Sequence, residues 1–267
     1  MIKRLLSLCF LLMFGYLHAE PILRMSTTTS TEHSGLLSVL NPVFEKQKGV
    51  KVHVIAVGTG KALKLGENGD VDLMLVHAPE AEIAFINAGY GVDRRPVMFN
   101  DYVIVGPDTD PAQVVVSESA NEAFEKIARS RAVFISRGDE SGTHQKEKQI
   151  WRAVEIEPQG FWYISTGQGM GAVLQMADQK LAYALTDRGT YISYQDKIEI
   201  GIVFEHDQAL FNPYHVIAVN PKRYPTAQYE LAKQYIEFLI GEQGQALIAG
   251  FKRSGQQLFY PDAVNER

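Results

Sequence analysis

Short runs of apolar and β-branched residues alternate along the chain with segments in which apolar residues recur at helical spacing. The β-type runs lie at 21–25, 50–57, 72–76, 97–105, 132–136, 162–165, 182–185 and 214–219. The helical patterns lie at 35–47, from about 60 onward, and at 81–88, 120–129, 143–154, 169–177, 227–239 and 243–249. This alternation predicts an α/β fold with parallel-rich sheets.

Two of the β-type runs, 97–105 and 214–219, bracket the middle of the chain. If both cross between two halves of the molecule, the ends of the chain form one lobe (20–105 and 215–267) and the middle forms the other (106–214). A chain of 267 residues is long enough for two lobes. We therefore predict a two-lobed clamshell with a two-strand hinge, an arrangement that closes around ligands.

The first 19 residues have the pattern of a secretory signal peptide. Lys3 and Arg4 precede an apolar run at 5–17, and Ala19 offers a small residue at the cleavage point. The only cysteine, Cys9, lies inside that run, so the mature chain has no disulfide. Export without disulfides favours the bacterial periplasm.

The charge balance restricts the classes of partner. The chain has 26 basic and 31 acidic residues, a net charge of −5. The predicted leader contains two basic residues and no acidic residue, so its removal leaves a net charge of −7. An acidic surface argues against nucleic acid and anionic membranes as partners.

Five segments rich in Gly, Thr and Ser follow predicted strands, at 26–34, 57–63, 137–144, 166–171 and 186–190. The carboxyl ends of parallel strands meet at one edge of a sheet, where ligands bind. Helix N-termini offer unpaired N–H groups and partial positive charge, and hydroxyls add donors without adding charge. Any one segment is explained by a tight turn or a helix cap. Together the five predict a site for a small, compact oxyanion.

Arg137 opens one of these segments and is followed by a glycine. Its guanidinium has the geometry to give two parallel hydrogen bonds to an oxyanion. The alternative is a surface ion pair with Asp139 or Glu140. The position of Arg137 at the end of a buried-looking strand favours the ligand.

Six motifs carry a resemblance to a known family: TTTST at 27–31, VGTGKAL at 57–63, VHAP at 76–79, NDYVIVGP at 100–107, SRGDESGT at 136–143 and TDRGT at 186–190. Together they resemble the periplasmic tungstate-binding proteins of bacterial ABC importers, over nearly the whole mature chain. The resemblance implies a type II, periplasmic-binding-protein-like fold. It also implies that the oxyanion is met by residues from several of the motifs, namely Thr28 or Thr29, Thr59, Arg137, Thr143 and Thr186, with Ser141 as a further candidate.

The resemblance further implies tungstate as the ligand, an inner-membrane ABC permease as the partner, a monomer, no cofactor and no enzymatic activity. Tungsten is then present only within the bound oxyanion, and no separate metal site is expected. Molybdate or another tetrahedral oxyanion remains an alternative ligand, because tungstate and molybdate have nearly the same size and charge. The histidines are scattered without metal-ligand spacing, and His77 is predicted to support the cleft edge or the hinge.

A secreted serine hydrolase that uses Ser141 and His144 is the more distant alternative. Residues this close in sequence rarely align as nucleophile and base, and the chain has no Gly-x-Ser-x-Gly elbow. The hydrolase alternative predicts turnover of an ester substrate by the purified protein and its loss in Ser141→Ala. We expect no turnover above the buffer rate in either protein, and turnover that depends on Ser141 would contradict the binding interpretation.

Overall fold

The structure is a computed structural model that describes residues 20–263. The predicted signal peptide, 1–19, lies outside the described residues. The strands are β1 (Ile22–Thr28), β2 (Lys51–Val57), β3 (Leu73–Val76), β4 (Gly91–Gly106), β5 (Phe134–Ser136), β6 (Tyr163–Ser165), β7 (Ala184–Asp187), β8 (Gly201–Phe204), β9 (Phe211–Val219), β10 (Lys252–Arg253), β11 (Gln256–Gln257) and β12 (Tyr260–Pro261). The helices are α1 (Thr29–Ser34), α2 (Leu37–Lys48), α3 (Thr59–Asn68), α4 (Pro79–Asn87), α5 (Ala120–Ser130), α6 (Gly142–Ala153), α7 (Met170–Lys180), α8 (Arg188–Tyr194), α9 (Tyr229–Ile240) and α10 (Glu242–Gly250), with short 3₁₀ turns at Val114–Val116, Gln195–Lys197 and Gln208–Leu210.

One mixed sheet organises the two ends of the chain, in the strand order β12-β4-β9-β3-β1-β2. Strand β1 pairs in parallel with both β2 and β3, so these three carboxyl ends share one edge. Strand β9 joins this parallel group antiparallel, between β3 and β4. The parallel part of the sheet therefore positions the segments that follow β1, β2 and β3 beside one another.

Strand β4 continues from one half of the molecule into the other. Its pairing with β9 extends from Gly91 to Asp101, and its remaining residues pair with β7 and β8. Strands β5 and β6 pair in parallel, and a parallel bridge from Phe134 to Tyr183 links β5 to the start of the β7 segment. Strands β4 and β9 contain the two runs predicted to form the hinge, and we call them the hinge-region strands. The part of the chain between them thus builds its own set of strands.

The hydrophobic core divides in the same way. One cluster around Leu23, Phe44 and Tyr235 and another around Met74 draw most of their members from the two ends of the chain. Two further clusters, one of them built around Trp151, take theirs from the middle of the chain. The residue limits that we predicted for the two lobes stay a prediction. Within 20–263, every helix is too short or too polar to cross a bilayer.

The sequence predicts the hydroxyl-rich segment, 26–34, as a loop between a strand at 21–25 and a helix that begins at 35. The structure differs from this prediction. Strand β1 continues to Thr28, and α1 begins at once at Thr29. The strand can include these residues because their buried hydroxyls are satisfied by neighbouring backbone: Ser26 Oγ donates to Ala62 O at 3.0 Å, and Thr27 Oγ1 donates to Leu75 O at 2.7 Å. Helix α8 and strand β8 were also missing from the prediction.

An ion-pair cluster lies where β4 leaves the first sheet. Arg188, at the start of α8, donates from Nε to Asp101 Oδ1 at 2.7 Å and from Nη2 to Asp101 Oδ2 at 2.5 Å. Its Nη2 also donates to Glu205 Oε2 at 2.7 Å. One guanidinium therefore joins the crossing strand to the segment that precedes β9.

We expect Arg188→Gln to destabilise the protein by about 2–3 kcal/mol. Removing one partner of a mostly buried pair leaves charge uncompensated, and some remaining exposure moderates the loss. The thermal midpoint should then fall by about 4–12 °C. The matched control is Arg129→Gln, because Arg129 is 80% exposed and lies 3.9 Å from its partner Glu125. It should change stability by less than about 0.5 kcal/mol, and equal losses in the two variants would contradict a special role for Arg188.

Candidate functional site

The five predicted segments each follow a strand and begin a helix. Helices α1, α3, α6, α7 and α8 start directly after Thr28, Gly58, Ser141, Gly169 and Asp187, respectively. Side chains cap three of them, and α3 and α7 have glycine at the cap position. A glycine cap leaves the first-turn N–H groups without a side-chain acceptor, so these groups are available to an anion.

A chain of buried hydrogen bonds connects the end of β1 to the hinge-region strands. Thr28 Oγ1 lies 3.1 Å from His77 Nε2, and His77 Nδ1 lies 2.9 Å from Asn212 Oδ1. Asn212 in turn donates from Nδ2 to Asn100 Oδ1 at 2.7 Å. The His77 ring also stacks on Tyr214, with centroids 4.5 Å apart. The hydroxyl of Thr28 is therefore tied to both strands of the hinge region.

The N-terminus of α6 meets this chain from the other half of the molecule. The Thr143 side chain lies within hydrogen-bonding reach of the Tyr102 hydroxyl. Gly142 packs so closely that a Cβ there would lie 3.0 Å from His77 Cε1. Burial raises the pKa values of Tyr102 and Tyr214 well above the usual tyrosine value, so both phenols stay protonated and keep their donor hydrogens.

A cavity of about 510 Å³ opens beside these residues. Its wall includes Thr29, Arg137, Gly169 and Asp187, so three of the strand–helix junctions contribute to it, together with Arg137 from the start of the segment before α6. Both oxygens of the Asp187 carboxylate are already engaged by Thr190, through its N–H at 2.8 Å and its hydroxyl at 2.7 Å. The negative charge at the cavity wall is therefore partly neutralised by the N-terminus of α8.

Arg137 forms the ion pair that was the alternative to a ligand contact, and it also lines the cavity. Its Nε lies 3.2 Å from both carboxylate oxygens of Asp139, and its Nη2 lies 2.5 Å from Oδ2. Burial raises the pKa of Asp139, but hydrogen bonds from Arg137 and Ser141 outweigh it and bring the pKa below its ordinary value. The carboxylate therefore fixes one edge of the guanidinium, and the N–H groups of Nη1 remain for a ligand.

The other predicted site residues differ in their surroundings. Thr59 is buried at the start of α3, and Ser141 caps α6 by accepting a hydrogen bond from His144 N at 3.3 Å. Thr186 is buried in β7 and donates to Asp187 O at 3.1 Å, so its hydroxyl already has an acceptor. Of the predicted site residues, Thr29 and Arg137 line the 510 Å³ cavity, whereas Thr28, Thr59, Ser141, Thr143 and Thr186 are not part of its wall.

Several residues of this network were missing from our predicted site. Asn100, Tyr102, Asn212 and Tyr214 carry buried polar groups within the mostly buried runs 96–106 of β4 and 211–219 of β9. Polar groups are buried only when they are hydrogen-bonded, so their presence in such runs was a usable signal. His77 contacts the hinge-region residues Asn212 and Tyr214, as its predicted supporting role requires.

The geometry around Ser141 does not form a hydrolytic pair. The hydroxyl of Ser141 accepts from the backbone N–H of His144, and the His144 ring accepts from Glu140 N through Nδ1 at 3.1 Å. Burial lowers the pKa of His144. The ring is thus held by the backbone of its own loop and does not activate the serine.

Gly138 permits the backbone turn that follows Arg137. Its φ of +62° is left-handed, and a Cβ would lie 2.0 Å from Ser165 Oγ and 3.2 Å from Ser165 Cβ. We expect Gly138→Ala to cost about 1–2 kcal/mol for the conformation and about 1 kcal/mol more for the crowding. In the control Gly89→Ala, φ is +75° and nothing lies within 4 Å, so only the conformational cost applies. Thermal unfolding of both variants measures the difference, and equal losses would contradict the crowding at Ser165.

Comparison with known proteins supports the same fold and family. Residues 18–243 match the model of the PBP superfamily domain. The chain is 46% identical over 251 residues to the tungstate-binding protein TupA of Peptoclostridium acidaminophilum, an alignment that covers 92% of this chain and 87% of that protein. Two solved structures are also similar. The tungstate-binding protein TupA from Desulfovibrio alaskensis G20 has a TM-score of 0.85 and 46% identity, with 91% of this chain and 99% of that chain covered. The tungstate ABC transporter from Geobacter sulfurreducens has a TM-score of 0.78 and 52% identity, with 86% and 98% covered.

These similarities confirm the resemblance drawn from the six motifs and the predicted α/β, two-lobed fold class with its two-strand hinge. The chain therefore belongs to the PBP superfamily and, within it, to the family of these tungstate-binding proteins.

Proposed function

We propose that this protein is the substrate-binding component of an ABC importer, which captures tungstate between its two lobes and delivers it to a membrane permease. The observation that carries the proposal is that hydrogen-bond donors from both halves of the molecule meet at the boundary between the halves, which we call the seam. Thr28 contacts His77 from the first sheet, and the N-terminus of α6, with Thr143, meets His77 and Tyr102 from the other half: a Cβ on Gly142 would lie 3.0 Å from His77 Cε1 and 3.7 Å from the Tyr102 hydroxyl. The names of the relatives support tungstate as the ligand.

The donor set suits a dianion that does not carry a proton. Hydroxyls, backbone N–H groups and one guanidinium all donate, and a tetrahedral oxyanion offers four acceptor oxygens. We assign ligand contacts to the predicted set, three members of which come from the segment before α6: Thr28 or Thr29, Thr59, Thr186, Arg137, Ser141 and Thr143. The Thr186 hydroxyl then exchanges its hydrogen bond to Asp187 O for one to the ligand. Each charge-assisted hydrogen bond contributes about 1.5–3 kcal/mol, so half a dozen support tight binding after the entropic costs.

Size and protonation separate the competing anions. Sulfate is smaller than tungstate, so a cavity shaped for the larger anion leaves some of its donors unpaired. Phosphate brings a proton that needs an acceptor, and the carboxylate on the cavity wall, Asp187, already accepts two hydrogen bonds from Thr190. Molybdate matches tungstate in charge and closely in size, and it is the principal alternative ligand.

We assign the protein to the periplasm, acting as a monomer with an inner-membrane permease as its partner and without a cofactor. The ABC transporter naming of its structural relative supports the permease. The predicted signal peptide and cysteine-free mature chain support export. A non-enzymatic role agrees with the binding functions in the relatives' names and with the separate engagement of Ser141 and His144.

Thermal unfolding with added anions tests the ligand directly. Tungstate at a thousand times its dissociation constant should stabilise the protein by about 4 kcal/mol. Molybdate should follow closely, and sulfate and phosphate at the same concentration should give much smaller shifts. A larger shift with phosphate than with tungstate would overturn the assignment, and no shift with any of the four anions would overturn oxyanion binding altogether.

Calorimetric titration of Arg137→Gln tests the guanidinium. Loss of its charge-assisted bonds should cost about 1.5–3 kcal/mol, or roughly 10- to 100-fold in the dissociation constant for tungstate. Arg129→Gln removes the same charge from an exposed position and should leave the affinity unchanged. Unchanged affinity in Arg137→Gln would remove this residue from the site. Equal weakening in both variants would indicate that the lost positive charge acts on the anion at long range and not by direct contact.

A further inference from the structure

The hydrogen-bond directions around His77 determine what the Thr28 hydroxyl can donate to. Asn212 turns its amide nitrogen to Asn100 Oδ1, so its amide oxygen faces His77 Nδ1. An amide oxygen only accepts, and Nδ1 must therefore carry a hydrogen. In a neutral imidazole the other nitrogen, Nε2, is then an acceptor, and the Thr28 hydroxyl at 3.1 Å must donate to it.

This arrangement leaves Thr28 without a hydrogen for a ligand. Its Oγ1 accepts from Thr31 N at 3.3 Å. In its contacts with Thr31 Oγ1 at 2.6 Å and Ser30 Oγ at 3.1 Å either hydroxyl could donate, but a Thr28 hydrogen directed to His77 leaves Oγ1 as an acceptor in both, with the three donors sharing its two lone pairs. Its own hydrogen is directed to His77. The next residue, Thr29, lines the 510 Å³ cavity. An oxyanion in that cavity that approached Thr28 would therefore meet oxygen lone pairs, which repel it.

We propose that His77 is a positioning residue that controls the donor direction of Thr28, and that capture of the dianion is coupled to the uptake of one proton by the His77 ring. The inference rests on the proposed oxyanion-binding function and assigns a regulation to that same site. When a solvent proton adds to Nε2, the ring donates through both nitrogens. Nδ1–H still faces Asn212, Nε2–H now faces Thr28, and the Thr28 hydroxyl rotates its hydrogen to the anion.

The electrostatic surroundings of the ring favour this exchange once a dianion arrives. Burial lowers the pKa of His77 below its ordinary value, although Asn212, Glu82 and Asp187 oppose that effect. The ring is therefore neutral in the ligand-free protein at neutral pH. A dianion nearby stabilises the protonated ring and raises its pKa. Binding then tightens as the pH falls from the pKa of the complex to that of the free protein, and it is independent of pH outside that interval.

The other titratable groups near the ring come from each element around it. Glu82 of α4 and Asp187 before α8 act on it electrostatically, Tyr214 of β9 stacks on it, and Tyr102, Glu80, Glu140 and Lys146 line with it a second cavity of about 490 Å³. Glu82 is engaged by Arg94 Nε at 3.0 Å and by His215 Nδ1 at 2.9 Å. The two phenols keep their protons through neutral pH because burial raises their pKa values.

Calorimetry of tungstate binding at one neutral pH, in Tris and in HEPES, measures the proton uptake. The two buffers differ in ionisation enthalpy, so the difference in observed binding enthalpy gives the number of protons taken up per tungstate. We expect a value that approaches one, together with an affinity that rises by about tenfold per pH unit in the coupled interval. In His77→Asn the uptake should vanish and the affinity should fall. His206→Asn changes a histidine that is 78% exposed and should retain the full uptake.

The outcomes separate this inference from the proposed function. No binding of tungstate by the unmodified protein would overturn the proposed function itself. Tight binding without proton uptake, or uptake that persists in His77→Asn, would leave oxyanion binding intact and overturn the role of His77.

A measurement on the unmodified protein covers the case in which His77→Asn fails to fold. Nitrogen NMR of the histidine rings should show one ring whose Nε2 changes from an unprotonated to a protonated shift on addition of tungstate. An unprotonated Nε2 in the tungstate complex would overturn the inference.

Discussion

Every polar group buried between the two halves of this molecule needs a hydrogen-bond partner, and that requirement organises the site. Buried polar atoms without partners cost free energy comparable to a lost hydrogen bond. Thr28, His77, Asn212 and Asn100 meet the requirement as one connected chain that links the parallel strands to the strands of the hinge region. Because these hydrogen bonds form one connected series, the orientation of each side chain restricts the orientation of the next. The direction in which the Thr28 hydroxyl donates therefore depends on the hinge-region strands as well as on the segment that contains Thr28.

The sheet topology explains why loops so distant in sequence converge. Strands β1, β2 and β3 run parallel, as do β5 and β6, so the segments that follow them emerge at shared edges. Strand β4 extends through both sets of strands and fixes one relative to the other. Helix N-termini that begin at these edges direct N–H groups toward the same region. The candidate site therefore draws its groups from segments that are distant in sequence and that this topology brings together.

Local pattern was enough to predict the alternation of strands and helices and the position of five segments after strands, because apolar periodicity and capping residues are local signals. It missed the short helices α1 and α8, which begin at two of these segments. It could not show that the Ser26 and Thr27 hydroxyls would find backbone acceptors on Ala62 and Leu75, since those pairings join distant segments. The same limit concealed the roles of Asn212 and Tyr214. A polar residue within an apolar strand is visible in the sequence, but its partners are set by register and by the packing of the two halves. Arg137 shows a further limit, because the ion pair and the position on the cavity wall are both present in the fold.

A crystal structure of the protein grown with tungstate, with anomalous data collected at a tungsten absorption edge, tests the central claim most directly. Tungsten scatters strongly enough to mark its own position without reference to the surrounding protein. We predict one strong peak at the seam between the two halves, within hydrogen-bonding distance of the oxyanion from Arg137 and from hydroxyls on both sides. A peak on the outer surface, a peak contacted by one half alone, or an empty seam with tungstate present would contradict the claim.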